Sequence, residues 1–361
     1  MTVRKAKDLF PSGMKALLPR LAALILAVCL LPAFALAESA EKDSDWVQFL
    51  LICNEGMNND KGNVGNTLML VGMNPVRGKI RLIMFTWDTF VDYPGYDIPQ
   101  KLDMPYRNTG PEESVKVFNL NFDTDIQFYM SLNYLNLASL IDEYGGVTVD
   151  ISRAERNALN GMVASKKDKL EAQLGTGLLG QALLEMMVQE YYLTEFGPET
   201  HLNGLQAVGF GWLQYDSVYN CCKREVEVIA NLFDGVGLAV ADKVAFYTNA
   251  TERPDVPEGR IVINLDDISE EEYTVLRELM DPIFRKSYHN LTEDMIRSIS
   301  IALARVAYEA SRQGVDIFEH LQVTILPLEA LDEYDIVAGT KGHLVDKAAN
   351  AAAIREFMNQ D

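Results

Sequence analysis

The chain has 361 residues, of which 48% are hydrophobic, so it can bury a full core and is too apolar for an intrinsically disordered protein. Its 52 acidic residues outnumber 32 basic ones, which gives a formal charge of -20. Because such a surface repels polyphosphates, the composition argues against sequence-general binding to nucleic acids.

The N-terminus has the pattern of an export signal. Basic residues precede an uncharged apolar run, 21–37, that ends on a small-x-small sequence. We therefore expect residues 1–37 to be a signal peptide that is cleaved before Glu38. An uncleaved membrane anchor is the alternative. The apolar run falls just short of the roughly 18 to 20 residues that a spanning helix needs, and we therefore prefer cleavage. Both interpretations predict an exported protein, at the outer face of the cytoplasmic membrane or secreted.

Three of the four cysteines lie outside this segment, namely Cys53 and the adjacent Cys221 and Cys222. An odd number gives no disulfide framework, and adjacent cysteines rarely bond to each other. The four histidines show no zinc-site spacing with them. We expect buried or unpaired thiols.

Short apolar runs and helical periodicities alternate along the rest of the chain. Turn residues separate the second and third runs, and Thr109 with Pro111 has the pattern of a helix start. In chain order the predicted elements are strands at 46–53, 67–73 and 79–86, a helix capped by Thr109, a strand at 125–133, a helix stopped by Gly145 and Gly146, and a strand up to Ile151.

The second half is mostly helical by the same criteria. Its predicted elements are helices at 153–169, 178–196, 203–214 and 218–234, a mixed segment with strands within 243–249 and 260–267, helices at 270–285 and 292–312, a strand at 321–327 and a final helix at 347–359. Interleaved strands and helices predict an α/β fold, an α/β/α sandwich around a central mixed β-sheet. We expect one domain over 46–358, with a candidate insertion around 239–281.

Several segments resemble the LytR-CpsA-Psr family in order and spacing, over roughly 46–358. The most specific are Asp-Thr-Phe-Val from Asp88, Tyr-Gly-Gly-Val-Thr-Val-Asp from Tyr144, and His-Leu-Asn-Gly from His201. Members of this family are extracytoplasmic and transfer glycopolymers from a polyprenyl pyrophosphate lipid to peptidoglycan. The resemblance implies a polyprenyl-linked glycan or peptidoglycan, and the membrane surface, as partners, with no nucleic acid.

Such a transfer needs guanidinium groups for the phosphates, carboxylates for a divalent cation or a proton, and an apolar cavity for the lipid. The family supplies the guanidinium groups from three segments. By the resemblance, four of these arginines are replaced here, by Trp87, Trp212, Gln214 and Cys221. In the same comparison Asn66 replaces an aspartate and Glu225 replaces a glutamine.

The resemblance leaves four site residues in place: Asp88, Lys101, Asp216 and Arg224. We assign Asp88 and Arg224 as candidate catalytic residues. Ligand or phosphate contacts are expected from Lys101, Trp87, Trp212, Gln214 and Asn66.

Asp88 and Asp216 are candidate metal ligands for Mg²⁺, the one cofactor that we expect. Each residue also has a structural interpretation as a turn cap, an exposed charge, a helix-face ion pair or a core aromatic.

The lost arginines decide which function we favour. Removing one preorganised charged donor typically costs about 10²- to 10³-fold in rate. We therefore favour a diverged member that binds a polyprenyl-(pyro)phosphate-linked or cell-wall glycan ligand, with weak or lost transferase activity. The first alternative is an active glycopolymer-to-peptidoglycan phosphotransferase that uses other cations, namely Lys101, Arg107, Lys223 and Arg224. The second is a non-catalytic structural or regulatory envelope protein.

Overall fold

The computed structural model describes residues 45–55, 65–174, 185, 188–256, 259–315, 317–327, 333–337, 339–344 and 346–359. The predicted signal peptide or anchor, 1–37, lies outside these residues. The chain divides into two compact units, Met1–Asp45 and Trp46–Asp361, and the helices and strands described belong to the second. Within the described ranges, no helix combines the length and apolarity that crossing a membrane requires. The predicted domain limits and the insertion at 239–281 stay predictions.

Strands occur throughout this unit. In chain order they are β1 (Val47–Asn54), β2 (Gly65–Asn74), β3 (Lys79–Phe85), β4 (Phe90–Val91), β5 (Gln100–Lys101), β6 (Tyr129–Asn133), β7 (Val147–Ile151), β8 (Gly197–Leu202), β9 (Val244–Tyr247), β10 (Ile261–Asn264), β11 (Tyr288–His289), β12 (Leu321–Leu326), β13 (Glu333–Val337) and β14 (Thr340–Leu344).

Helices separate most of these strands. They are α1 (Met104–Asn108), α2 (Pro111–Phe122), α3 (Tyr134–Glu143), α4 (Arg153–Leu174), α5 (Gly204–Gly211), α6 (Val218–Lys243), α7 (Glu270–Lys286), α8 (Glu293–Gln313) and α9 (Lys347–Asn359), with a short 3₁₀ helix at Ile317–His320.

A mixed six-stranded sheet, in the order β11-β6-β1-β2-β3-β12, forms the centre of the fold. β1, β2 and β3 pair antiparallel, whereas β6 joins β1 and β12 joins β3 in parallel. The predicted turn between β2 and β3 is present: Asn74 Oδ1 accepts hydrogen bonds from the backbone N–H groups of Val76 and Arg77, at 3.0 and 2.8 Å. The three predicted opening strands are therefore confirmed as the middle of the sheet.

Successive side chains of these strands enter two different apolar layers, as the two-residue period of a strand requires. Leu51 of β1 belongs to one layer, which contains side chains of α3 to α8. Its neighbours Leu50 and Ile52 belong to the other, with side chains of α1, α2 and α9. Helices cover both faces of the sheet, which confirms the predicted α/β/α sandwich.

The His-Leu-Asn-Gly segment begins α5. The Asn203 side chain accepts a hydrogen bond from the Gln206 N–H, and the Gln206 side chain accepts one from the Asn203 N–H, which makes a capping box. Gly204 lies directly against α3, since a Cβ at this position would be 1.8 Å from the Ala138 carbonyl oxygen. Glycine is therefore required for the two helices to approach each other.

Several local predictions differ from the structure. Thr109 ends α1 instead of capping α2, because its N–H donates to the Pro105 carbonyl and Gly110 occupies the cap position of α2. Helix α6 continues past the predicted end at 234 to Lys243. Strand β8 and the β13–β14 hairpin were not predicted. Much of the predicted helix at 178–196 lies outside the described residues.

Candidate functional site

The loop after β3, which carries Trp87 and Asp88, is fixed at both ends by backbone hydrogen bonds. The Thr86 N–H donates to the Leu326 carbonyl of β12 at 3.0 Å, and the Leu102 N–H donates to the Thr89 carbonyl at 2.9 Å. The β4–β5 ladder then pairs Phe90 with Lys101. This short ladder brings Lys101 back to the loop that contains Trp87.

A cleft of about 450 Å³ opens beside this loop, within the usual size range of small-molecule sites. Three of the predicted ligand contacts line it: Trp87, Lys101 and Gln214. The lining also contains Arg107, from the active-enzyme alternative, and two acidic residues that the sequence did not single out, Glu55 and Asp103. The cleft therefore presents both signs of charge beside an indole ring.

Trp87 and Lys101 contact each other within the cleft. The Lys101 Nζ lies 4.6 Å from the centroid of the indole ring, in a cation–π arrangement. The indole Nε1 of Trp87 is buried and has no hydrogen-bond partner among the described residues. That Trp87 and Lys101 contact a ligand stays a prediction. The structure places the two side chains against each other in the lining of the cleft.

Asp88, a candidate catalytic residue, is 2% exposed and faces a histidine from the β13–β14 hairpin. His343 Nε2 lies 3.5 Å from Asp88 Oδ1. The backbone N–H of His343 also donates a hydrogen bond to the backbone carbonyl of Asp88, at 3.3 Å. Burial raises the pKa of the Asp88 carboxyl, while His343 and Lys101 act in the opposite direction. No sequence pattern pointed to His343, because its hairpin was not predicted.

Asp103 is a second buried carboxylate, only 5% exposed, and it lines the cleft. It occupies the N-cap position of α1, yet its side chain makes no capping hydrogen bond. Within the described ranges its Oδ1 atom has no hydrogen-bond partner. Burial raises the pKa of Asp103, Asp88 raises it further, and Arg107 and Lys101 lower it.

Arg224, the other candidate catalytic residue, is tied to carboxylates. Its guanidinium donates to Asp216 Oδ1 at 2.8 Å and Oδ2 at 3.1 Å, to Glu155 Oε1 at 3.4 Å and to the Leu213 carbonyl. The hydrogen bonds from Arg224 to Asp216, with the positive charge of the guanidinium, lower the pKa of the Asp216 carboxyl. Among the described residues, neither Arg224 nor Asp216 belongs to the lining of the cleft.

Trp212 contributes to a buried polar cluster next to α6. Its Nε1 donates to the Thr67 hydroxyl at 3.3 Å, and this hydroxyl donates to Glu225 Oε2 at 2.9 Å. The Cys221 thiol contacts Glu225 Oε1 at 3.6 Å. Burial raises the pKa of Glu225 to about 8, although Thr67, Cys221 and Arg224 partly oppose this rise. The side chain of Asn66, in β2, lies outside the described part of the structure.

The three cysteines outside the N-terminal segment are free and buried, as the sequence predicts. Lys223 lines a separate pocket of about 310 Å³ with Tyr219 and Val323. Of the four cations in the active-enzyme alternative, the structure thus places Lys101 and Arg107 in the cleft.

In the described structure, each of the two predicted magnesium ligands has another partner. Mg²⁺ prefers octahedral oxygen coordination. Both oxygens of Asp216 accept hydrogen bonds from Arg224, while Asp88 faces His343. No group of three or more His, Cys, Asp or Glu side chains suited to a metal ion occurs in these ranges. Magnesium stays a prediction, and no step in the proposals depends on it.

The structure is thus an α/β/α protein with a cleft of mixed charge beside the loop that follows β3. Residues 35–234 match the LytR_cpsA_psr family model, and the chain belongs to this family. The family predicted from the sequence is therefore confirmed.

Two curated relatives are polyisoprenyl-teichoic acid–peptidoglycan teichoic acid transferases named TagU. The Bacillus cereus protein is 26% identical over 106 residues, which are 29% of this chain and 35% of the relative. The Oceanobacillus iheyensis protein is 30% identical over 121 residues, 31% of this chain and 37% of the relative. The matched stretch spans little more than a third of the length of these relatives.

Solved structures share the fold. A protein from Streptococcus agalactiae superposes with a TM-score of 0.56 and 16% identity, covering 89% of this chain and 91% of that one. TagT bound to LIIa-WTA gives a TM-score of 0.54 and 13% identity, covering 88% and 91%. At these identities the likeness is one of fold.

Proposed function

We propose that this is an exported cell-envelope protein that binds a polyprenyl-(pyro)phosphate-linked or cell-wall glycan in the cleft beside Trp87, with weak or lost transferase activity. Family membership supports this proposal. So do the relatives, which are named as transferases of polyisoprenyl-linked teichoic acid, and the structural neighbour TagT, whose solved structure contains bound LIIa-WTA. Export through residues 1–37 and contact with the membrane surface are part of the proposal, and nucleic acid is not.

The charge of the cleft is the observation that carries the proposal. Among the described residues, the cations that line the cleft are Lys101 and Arg107. Arg224, the one arginine retained at a family site position, is neutralised by Asp216 and Glu155. Two cations suffice to hold a phosphate group, but fewer preorganised donors remain for charge that develops in a transition state. Binding with little turnover is the expected consequence.

An active phosphotransferase is the alternative, and one observation supports it: Lys101 and Arg107, two of the cations that would replace the missing arginines, line the cleft. A purely structural role is less well supported, since a cleft that combines Lys101, Arg107 and Asp103 with an indole ring has the composition of a ligand site.

Binding and turnover of a short-chain polyprenyl pyrophosphate would test the proposal, with the chain from Glu38 onward and with or without magnesium. We expect binding, and about tenfold weaker binding in Lys101→Ala and in Arg107→Ala, because each variant loses one charged contact. Lys116→Ala is the matched control, since Lys116 is an exposed lysine paired with Glu113 on α2.

The outcomes separate the three functions. Binding without release of lipid phosphate supports the proposal. Sustained release that is lost in Lys101→Ala supports the active transferase instead. Absence of binding in the unmodified protein contradicts both and favours a structural or regulatory role.

A further inference from the structure

Strand β12 lies at one edge of the central sheet, and among the described residues it pairs with β3 alone. We propose that its open edge, together with the face of α6 beside it, is a docking site for an extended peptide segment of a partner protein that carries an acidic side chain. In the part of the chain that the structure describes, the pocket at this edge shares no lining residue with the cleft. The inference therefore does not depend on the proposed function.

The backbone of β12 turns alternate residues toward the open edge. The Leu326 carbonyl accepts a hydrogen bond from the Thr86 N–H at 3.0 Å, on the β3 side. Because a strand directs the backbone groups of successive residues to opposite sides, those of Val323 and Ile325 point away from β3. Within the described ranges, the N–H and C=O groups of these two residues make no hydrogen bond. Two donors and two acceptors, repeated at every second residue, match the backbone of another extended chain.

The edge also lacks the features by which proteins usually prevent strand addition. β12 has the sequence LQVTIL, without a charge, proline or glycine, and its pairing with β3 continues through all 6 residues without a bulge. The opposite edge of the sheet ends in β11, which has only 2 residues. Short edge strands, charges, prolines and bulges all discourage pairing with another chain. The contrast between the two edges indicates that β12 is the one that receives a partner.

A pocket of about 310 Å³ lies between this edge and α6. Helix α6 lines it with Tyr219, Lys223 and Val226, whose spacings of four and three residues place them on one face of the helix. β12 lines it with residues 323–325, and Val323 is 39% exposed. A strand added to β12 would direct every second side chain toward the face of the sheet that α6 covers. An apolar side chain on that face of the added strand can enter the pocket.

Lys223 determines the charge of the expected partner. It is exposed, and it forms no ion pair with the residues that the structure describes. Side chains two residues apart on a strand are separated by about 7 Å, close to the rise of about 6 Å between Tyr219 and Lys223 along α6. We therefore expect an apolar residue in the partner with Asp or Glu two positions away.

A second copy of this chain fits the edge less well. Two molecules that each carry a formal charge of -20 repel each other. The β12 strand of a second copy also offers no acidic residue to Lys223, since LQVTIL is uncharged.

The test uses the chain from Glu38 onward, which contains the whole of the second compact unit, and a displayed library of random dodecapeptides. The most enriched peptide is synthesised, and its affinity is measured for the unmodified protein, for Lys223→Glu and for Lys243→Glu. Lys243 is the matched control, because it is an exposed lysine in the last turn of the same helix. A second series of peptides carries single backbone N-methyl groups, which leaves the protein unchanged.

We expect the library to enrich an apolar residue with Asp or Glu two positions away. The peptide should bind Lys223→Glu about tenfold more weakly, and Lys243→Glu as well as the unmodified protein. Selection on Lys223→Glu should instead enrich Lys or Arg at the acidic position. N-methylation should weaken binding about fivefold at every second residue and little in between, since an added strand uses alternate N–H groups.

Absence of an enriched peptide, equal losses in the two lysine variants, or N-methyl effects without this alternation would overturn the inference. A dimer of the unmodified protein in sedimentation equilibrium that excludes the peptide would also overturn it, since the edge would then belong to a second copy. None of these outcomes involves the cleft, so each of them leaves the proposed function standing.

Discussion

Glu225 gives the clearest prediction at the scale of single residues. It is fully buried in the cluster with Thr67 and Cys221, and its pKa rises from 4.5 to about 8. The folded protein therefore holds a proton that the unfolded chain releases above pH 4.5. The free energy of unfolding should fall as the pH rises from about 4.5 to about 8 and then level off.

Glu225→Gln removes this titration and should stabilise the protein above pH 8. At about 1.4 kcal/mol for each pKa unit, the shift from 4.5 to about 8 corresponds to a gain on the order of 5 kcal/mol at pH 8.5, which should shrink toward zero near pH 4.5. Tm measured from pH 4.5 to 9 checks the expected trend. Glu190→Gln, which changes an exposed glutamate, should show no such trend. A gain that does not vary with pH would show that Glu225 stays ionised.

Residue types and motif spacing predicted part of the site. The resemblance pointed to Trp87, Lys101 and Gln214, and these three line one cleft. It could not reveal Asp103, because an aspartate before a helix has the pattern of an ordinary cap, and only its burial and missing hydrogen bond distinguish it. Nor could the sequence show that Asp216 neutralises Arg224, since that contact depends on how the loop before α6 folds back.

The β13–β14 hairpin, taken as one element, completes the wall of the cleft and contacts Asp88. It contributes Val337 and Thr340 to the cleft and His343 to Asp88. Gly342 allows this contact, since a Cβ there would lie 2.3 Å from the Asp88 carbonyl oxygen and 2.8 Å from Cε2 of Phe90. The hairpin and the loop after β3 therefore touch through backbone.

We expect Gly342→Ala to push the hairpin away from Asp88. Overpacking of this kind costs about 1 to 3 kcal/mol of stability, and the displaced wall should also weaken ligand binding in the cleft. Urea denaturation and binding of the polyprenyl pyrophosphate are the two measurements. Gly161→Ala in α4 is the control, because in the described structure the added Cβ would have no heavy atom within 4 Å apart from its chain neighbours and the backbone of its own helix. An unchanged Gly342→Ala protein would mean that the hairpin does not contact the loop in solution.

The missed elements share a physical cause. β13 and β14 are short and carry charged or polar residues, so they lack the apolar alternation that predicted β1, β2 and β3. β8 is likewise polar, with glycine, proline and threonine in its six residues. Such strands form because another segment of the folded chain pairs with them. A single sequence does not show which segments will pair. Long amphipathic helices such as α7 and α8 were predicted to within a residue or two.

The folding of the whole domain depends on contacts between the residues that match the family model and the residues that follow them in the chain. The match ends at residue 234, whereas β11 and β12 close the two edges of the central sheet from beyond that point. The apolar layer on one face of the sheet also includes Leu276 and Met280 of α7 and Ile299 of α8, all almost fully buried. A fragment that stops at residue 234 would expose to water the part of this face that α7 and α8 cover.

We therefore expect the fragment 38–234 to lack cooperative unfolding, while the chain from Glu38 to Asp361 unfolds in one cooperative transition. Burial of apolar surface drives folding, and the fragment loses both α7 and α8 from one layer and both edge strands from the sheet. Urea titrations followed by circular dichroism and by tryptophan fluorescence measure cooperativity, and coincident curves are expected for the longer chain alone. A cooperative transition in the fragment would contradict this dependence and would make the region after 234 an addition to a core that is already complete.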